Sequence, residues 1–157
     1  MDILEIIKKF DLQPLNREGG YFRRTYTASQ IFVHRHLSSA IFYLITPNSF
    51  SALHQVKNND EMFHFYYGDT VEMLLLDSKG AGKIVTLGND PRQCFNPQYL
   101  IPAGTWQGTR LRPGGRFAFL GVTVTPAFRD EDFILGSREE LTKQYPDFKE
   151  IIGELTH

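Results

Sequence analysis

His54-Gln55-Val56-Lys57-Asn58-Asn59-Asp60-Glu61-Met62-Phe63-His64-Phe65-Tyr66-Tyr67-Gly68 is the stretch that decides the fold. Its second half alternates. Glu61, Phe63, Phe65 and Tyr67 share one parity and Met62, His64 and Tyr66 the other, so an extended chain sends the two sets to opposite faces. Gly68-Asp69 after this segment is turn chemistry, and Asp60 before it likewise flanks a turn. The reading is strand, turn, strand, with His54 and Glu61 on neighbouring strands.

Outward from this stretch the same pattern repeats. Tyr21-Tyr26, Ala40-Thr46, Glu61-Tyr67, Val71-Asp77, Lys83-Leu87 and Phe117-Thr125 are short segments rich in aromatic and β-branched residues, and they read as strands. Pro47-Asn48, Gly80-Ala81-Gly82, Gly88-Asn89-Asp90-Pro91 and Pro113-Gly114-Gly115 punctuate them. Many short strands with regular turns predict an all-β sandwich or barrel. The ends of the chain are different. Ile3, Leu4, Ile6, Ile7 and Phe10 follow helical spacing behind an Asp2/Glu5 capping box. Ser137 with Glu140 opens a second helix that Pro146 ends, and Phe148, Ile151, Ile152 and Leu155 give a last helical segment one apolar face. A single domain over residues 1–157 is expected, with a β core over about 20–135 and a helical segment over about 137–155.

The 157 residues suffice to bury roughly 70% of the surface of the unfolded chain, so no disulfide framework is required. Seventeen Lys+Arg against eighteen Asp+Glu leave a formal charge of -1, which offers no field for a polyanion and argues against nucleic acid as a partner. The single cysteine, Cys94, cannot form an intramolecular disulfide, and no apolar run is long enough for a signal peptide or a spanning helix. The expectation is a cytoplasmic protein with no membrane partner.

His54, Glu61 and Gly68 stand at three of the four positions of a sequence pattern that resembles the first cupin motif, whose second His is Val56 here. Pro102-Ala103-Gly104-Thr105-Trp106-Gln107 resembles the second cupin motif, with Gln107 where the metal-binding His stands. Glu18-Gly19-Gly20-Tyr21-Phe22-Arg23, Asp60-Glu61-Met62-Phe63-His64-Phe65 and Phe128-Arg129-Asp130-Glu131-Asp132-Phe133 narrow the resemblance to a small cupin subfamily of unknown function, DUF985. The resemblance implies a double-stranded β-helix, the cupin jelly roll, with a short N-terminal helix and C-terminal helices. It also implies a homodimer and a shape similar to the small sugar epimerase and isomerase cupins.

The candidate site follows from both readings. His54 and Glu61 are the candidate catalytic acid/base pair, in a cavity where rings around the carboxyl would raise its pKa. Phe63, Phe65 and Tyr67 share the parity of Glu61 and would supply those rings. Ligand-binding candidates are Arg23, Phe63, His64, Phe65, Trp106 and Gln107. Arg23 and Arg24 alternate faces, and whichever points inward favours a carboxylate or phosphate. Trp106 either stacks on a ligand or belongs to the core, and the parity of His64 sends it away from Glu61 unless a bulge intervenes. His54, Glu61 and Gln107 offer one imidazole, one carboxylate and one amide, so no resident metal is expected, with a weakly held divalent cation at these three residues as the alternative. The functional expectation is a carbohydrate or sugar-nucleotide-like ligand and metal-independent epimerisation or isomerisation. Alternatives are a binding module without turnover and a metal-dependent oxygenase or isomerase with a reduced ligand set.

Overall fold

The computed structural model describes residues 2–157. Asp2 and Glu5 form the expected reciprocal capping box, and the helix they open is α1 (Ile3–Phe10). The strands are β1 (Gln13–Pro14), β2 (Tyr21–Thr27), β3 (Ile31–Phe32), β4 (Arg35–His36), β5 (Ser39–Ile45), β6 (Ser51–Val56) and β7 (Asp60–Gly68). They continue as β8 (Val71–Leu76), β9 (Gly82–Asp90), β10 (Cys94–Asn96), β11 (Gln98–Ile101), β12 (Trp106–Leu111), β13 (Ala118–Thr125) and β14 (Phe133–Leu135). Two further helices follow, α2 (Arg138–Gln144) and α3 (Lys149–Glu154), the first capped by Ser137.

The strands form two six-stranded antiparallel sheets, ordered β1-β2-β5-β13-β7-β11 and β10-β9-β8-β12-β6-β14, and β3 with β4 makes a separate hairpin. Strands that are consecutive in sequence repeatedly fall in opposite sheets, as β5, β6 and β7 do, which is the winding of a jelly roll. All six strands expected from sequence are present. His54 lies on a strand, β6, as its motif requires, and the additional long one, β12, contains Gln107, a polar residue that weakens the strand signal.

Alternation sorts each sheet into two faces. Tyr43, Phe63, Phe65, Met73, Leu75 and Val122, among others, fill the space between the sheets. Leu53, Leu74 and Leu76 point the other way and are covered by Leu141, Tyr145, Ile152 and Leu155 of the C-terminal segment. The outer face of the first sheet carries Leu44 and Phe119, on which Ile6 and Phe10 of α1 pack. Burying these faces is the main stabilising term at roughly 25 cal/mol per Å² of apolar surface.

One irregularity changes the sequence expectation. Across β7 and β13, Phe65 pairs with Leu120 but Tyr67 pairs with Phe119, so Tyr66 is an extra residue. The bulge reverses the alternation beyond it. Tyr67 therefore lies outside, 55% exposed with its ring tilted against Phe117, and does not join Glu61 and Phe63 inside.

Candidate functional site

A cavity of about 310 Å³ opens at one end of the barrel. Phe22, Ile41, Phe63, Val122, Phe128 and Phe133 give it apolar walls, while Glu18, Tyr43, His54 and Glu61 bring polar atoms to it. His54 and Glu61 do face the same space. They come from opposite sheets rather than from a strand pair, since β6 pairs with β12 and β14 whereas β7 pairs with β13 and β11.

Gln107 joins them. It pairs directly with His54 across β12 and β6, is fully buried, and its Nε2 donates to Glu61 Oε1 at 2.8 Å and to His54 Nε2 at 3.2 Å. The other ring nitrogen, Nδ1, lies 2.7 Å from the Ala52 carbonyl oxygen, which can only accept, so Nδ1 carries the proton and Nε2 is the acceptor. Both partners of the amide are thus acceptors and require its NH2 side. His54 also stacks on Phe133, with ring centroids 5.0 Å apart.

Glu61 is 7% exposed. Burial pushes its carboxyl up to about 7, and the nearby Glu18 carboxylate adds to that push, while His54 and the Gln107 amide act in the opposite direction. Oε1 is taken by Gln107, and Oε2 has no hydrogen-bond partner among the described residues, so Oε2 serves the cavity. Tyr43 donates to the Gly19 carbonyl at 2.9 Å, and Ser51 donates to Glu18 Oε1 at 2.6 Å. Burial, then the Glu18 charge, raises the Tyr43 phenol well above its ordinary value.

Glu18 reaches this site because Gly19 and Gly20 both adopt positive φ, 108° and 72°. A Cβ on Gly19 would lie 2.1 Å from the Phe50 carbonyl oxygen. Gly19→Ala is expected to destabilise the protein by at least about 1–3 kcal/mol from backbone conformation alone, read by urea denaturation. A loss no larger than the roughly 0.5 kcal/mol of a neutral surface change would contradict this.

One wall of the cavity is a strap, residues 126–133, that supplies Phe128, Arg129, Asp130 and Phe133. Arg35 holds it from the β3–β4 hairpin, donating to the Ala127 carbonyl through Nε at 2.9 Å and Nη2 at 2.6 Å, and to Asp132 Oδ2 at 2.5 Å. Asn58 donates to the other Asp132 oxygen at 2.8 Å, and Asn59 to the Pro126 carbonyl at 2.5 Å.

The structure corrects several placements. Arg23 points outward over the Phe42 ring, and Arg24, the next residue, lines the cavity. His64 faces outward as its parity requires, with Nε2 3.1 Å from Thr123 Oγ1 and Nδ1 3.1 Å from the Gln98 amide. Phe65 lies deeper in the core and lines a separate polar depression at the far end of the barrel. Trp106 packs beneath the C-terminal helices, because it alternates with the inward Gln107. His54 keeps its place in the cavity but has no free ring nitrogen to act as a base.

The cupin motif also implies a metal, and the residues present do not fit one. Val56 replaces one ligand. The Gln107 NH2 group sits where the His54 and Glu61 donor atoms converge, at hydrogen-bond distance from both. Among the described residues no three His, Cys, Asp or Glu side chains gather as a ligand set. Nor is any helix among them long and apolar enough to cross a membrane.

Two wound antiparallel sheets with a polar cluster at the mouth between them define a cupin fold. The chain belongs to the Cupin superfamily (DUF985), which it matches over residues 4–136. It is 28% identical over 145 residues to the uncharacterized protein YML079W of Saccharomyces cerevisiae, covering 79% of this chain and 71% of that one. The structure is similar to protein SO0799 from Shewanella oneidensis, with TM-score 0.92, 30% identity and coverage of 100% of this chain and 98% of that one. A hypothetical protein from Leishmania major superposes with TM-score 0.91 at 22% identity, over 100% and 99% of the two chains. Bacillus subtilis oxalate decarboxylase shares the fold more distantly, with TM-score 0.59 and 17% identity over 92% of this chain and 37% of that one.

Proposed function

We propose that the cavity holds a small carbonyl-bearing molecule of carbohydrate type and that Glu61 moves a proton on it, as in a metal-independent isomerase or epimerase. The observation that carries this reading is the Glu61 carboxyl. It is buried among rings, poised at about 7, and has one oxygen free toward the cavity. As carboxylate it removes a proton from the carbon beside the carbonyl and becomes the acid that returns a proton. Return to the neighbouring carbon, with the hydroxyl proton of the first carbon passing to the former carbonyl oxygen, gives isomerisation. Return to the opposite face of the same carbon would need a second acid; Tyr43 is the hydroxyl of the cavity, but its proton is donated to the Gly19 carbonyl and its phenol is held well above its ordinary value, so isomerisation is the step this site favours. His54 acts through Gln107: its lone pair takes one amide proton, which helps aim the other at Glu61 Oε1. It is a positioning residue.

A second reading, binding without turnover, draws on the same engagement of both His54 nitrogens. Solvent exchange separates the two. In D2O, with ribose 5-phosphate, glucose 6-phosphate and the neutral parent sugars, wild-type protein is expected to incorporate deuterium beside the carbonyl of at least one of them. Glu61→Gln should slow this by about 10²–10⁴-fold. Saturable binding with no incorporation would establish the binding module, and exchange that survives Glu61→Gln would remove Glu61 from the chemistry.

A further inference from the structure

We propose that the mouth of this cavity is an oxyanion site built on Arg24, so that the ligand carries a phosphate or carboxylate at the end remote from Glu61. The inference rests on the reading of the cavity as a ligand site and specifies what enters it.

Arg24 occupies an unusual position for a charged residue. On β2 it shares the inward parity of Phe22 and pairs with Ile41, and all three line the cavity. At the open mouth its head group is exposed to water, which an anionic ligand group can replace. Two other guanidinium groups stand at the same mouth, and both are engaged. Arg17 lies over the Phe133 ring and 3.6 Å from Asp130, and Arg129 donates to Glu131 at 3.2 Å and to the His34 carbonyl. Arg24 has no carboxylate within salt-bridge distance and no side-chain hydrogen bond among the described residues. Its donors are free.

The charge pattern has a direction. Three guanidinium groups and one carboxylate, Asp130, line the mouth, whereas the inner end holds Glu18 and Glu61. An anion is therefore attracted to the mouth and repelled from the inner end, which leaves that end for neutral carbonyl and hydroxyl groups. Strand register gives the spacing. Arg24, Ile41, Val122 and Phe63 form one row across β2, β5, β13 and β7, so Arg24 lies three strands, about 14 Å, from Phe63. Glu61 is the next inward residue on β7. The volume of about 310 Å³ stands at the lower end for small-molecule sites, which suits a sugar phosphate or a sugar acid.

The test is calorimetric titration of wild type, Arg24→Gln and Arg23→Gln with ribose 5-phosphate, glucose 6-phosphate, gluconate, ribose and glucose. Arg24 is exposed, so its substitution leaves the fold intact, and Arg23 is the outward control on the same strand. Wild type is expected to bind at least one anionic compound about tenfold or more tightly than its neutral parent. Arg24→Gln should bring the two within about twofold, and Arg23→Gln should keep the preference. Stronger binding of gluconate than of the phosphates would assign a carboxylate, and the reverse a phosphate. Equal binding of neutral and anionic members, survival of the preference in Arg24→Gln, or no binding by any of the five would overturn the proposal. Failure of deuterium exchange with the anion preference intact would remove the proton-transfer reading and leave this site standing.

Discussion

Glu61→Gln is expected to make the protein more stable at pH 8 while removing its chemistry. In the unfolded chain the carboxyl ionises near its ordinary 4.5, and in the native cavity near 7. Below 4.5 both states hold the proton, and Glu61 contributes no pH dependence. Between 4.5 and 7 the native state keeps a proton that the unfolded state has released, so stability falls as pH rises through this window and levels off above it. The displacement corresponds to about 3 kcal/mol, present in full above pH 7. A neutral amide of the same shape escapes that loss and still accepts from Gln107. The variant should match wild type near pH 4.5 and melt about 5–10 °C higher at pH 8. A Glu61→Gln protein that melts lower than wild type at pH 8 would contradict the assignment.

The second large effect is expected far from any reacting atom. Arg35 and Asp132 have side chains 15% and 7% exposed, and together they hold the strap that forms one wall of the cavity. Removing one member leaves the other charged, buried and without its partner. Arg35→Ala or Asp132→Ala should each cost about 3–5 kcal/mol in urea unfolding, and the double variant should lose less than the sum of the two. Strict additivity would show that the pair does not act as a unit. Loss of less than about 1 kcal/mol in either single variant would show that the strap is held by its other bonds.

The fold was legible because its signals are periodic. Alternation in Glu61–Tyr67, the turn residues between strands and the capping box at Asp2 and Glu5 each act locally, and the structure repeats them. The site was legible in part. His54, Glu61, Phe63 and Gln107 converge because each lies at an inward position of its strand. Trp106 and His64 were candidates by residue type, yet parity places both outside. Tyr67 was lost to the bulge at Tyr66, which depends on pairing with β13 and leaves no mark in β7 itself. Choosing Arg24 over Arg23 needs the register of β2 against β5, again a property of two segments. Glu18 and the strap from Phe128 to Phe133 were visible as motif residues, but their role depends on contacts between distant segments: Glu18 with Ser51, Arg35 with Asp132. Local chemistry marks the strands, and the choice of which polar groups meet belongs to tertiary pairing.

The proposed proton transfer requires Glu61 to be an acid/base group poised near neutrality inside the cavity. Its most direct test is carboxyl titration by NMR of protein carrying 13C-labelled glutamate, with Glu61→Gln identifying the resonance. The account predicts one glutamate carboxyl titrating at about 7, absent from the variant. If the Glu61 resonance titrates near the ordinary 4.5, the carboxyl is solvated or paired, and both the stability prediction and the proposed proton transfer fall with it.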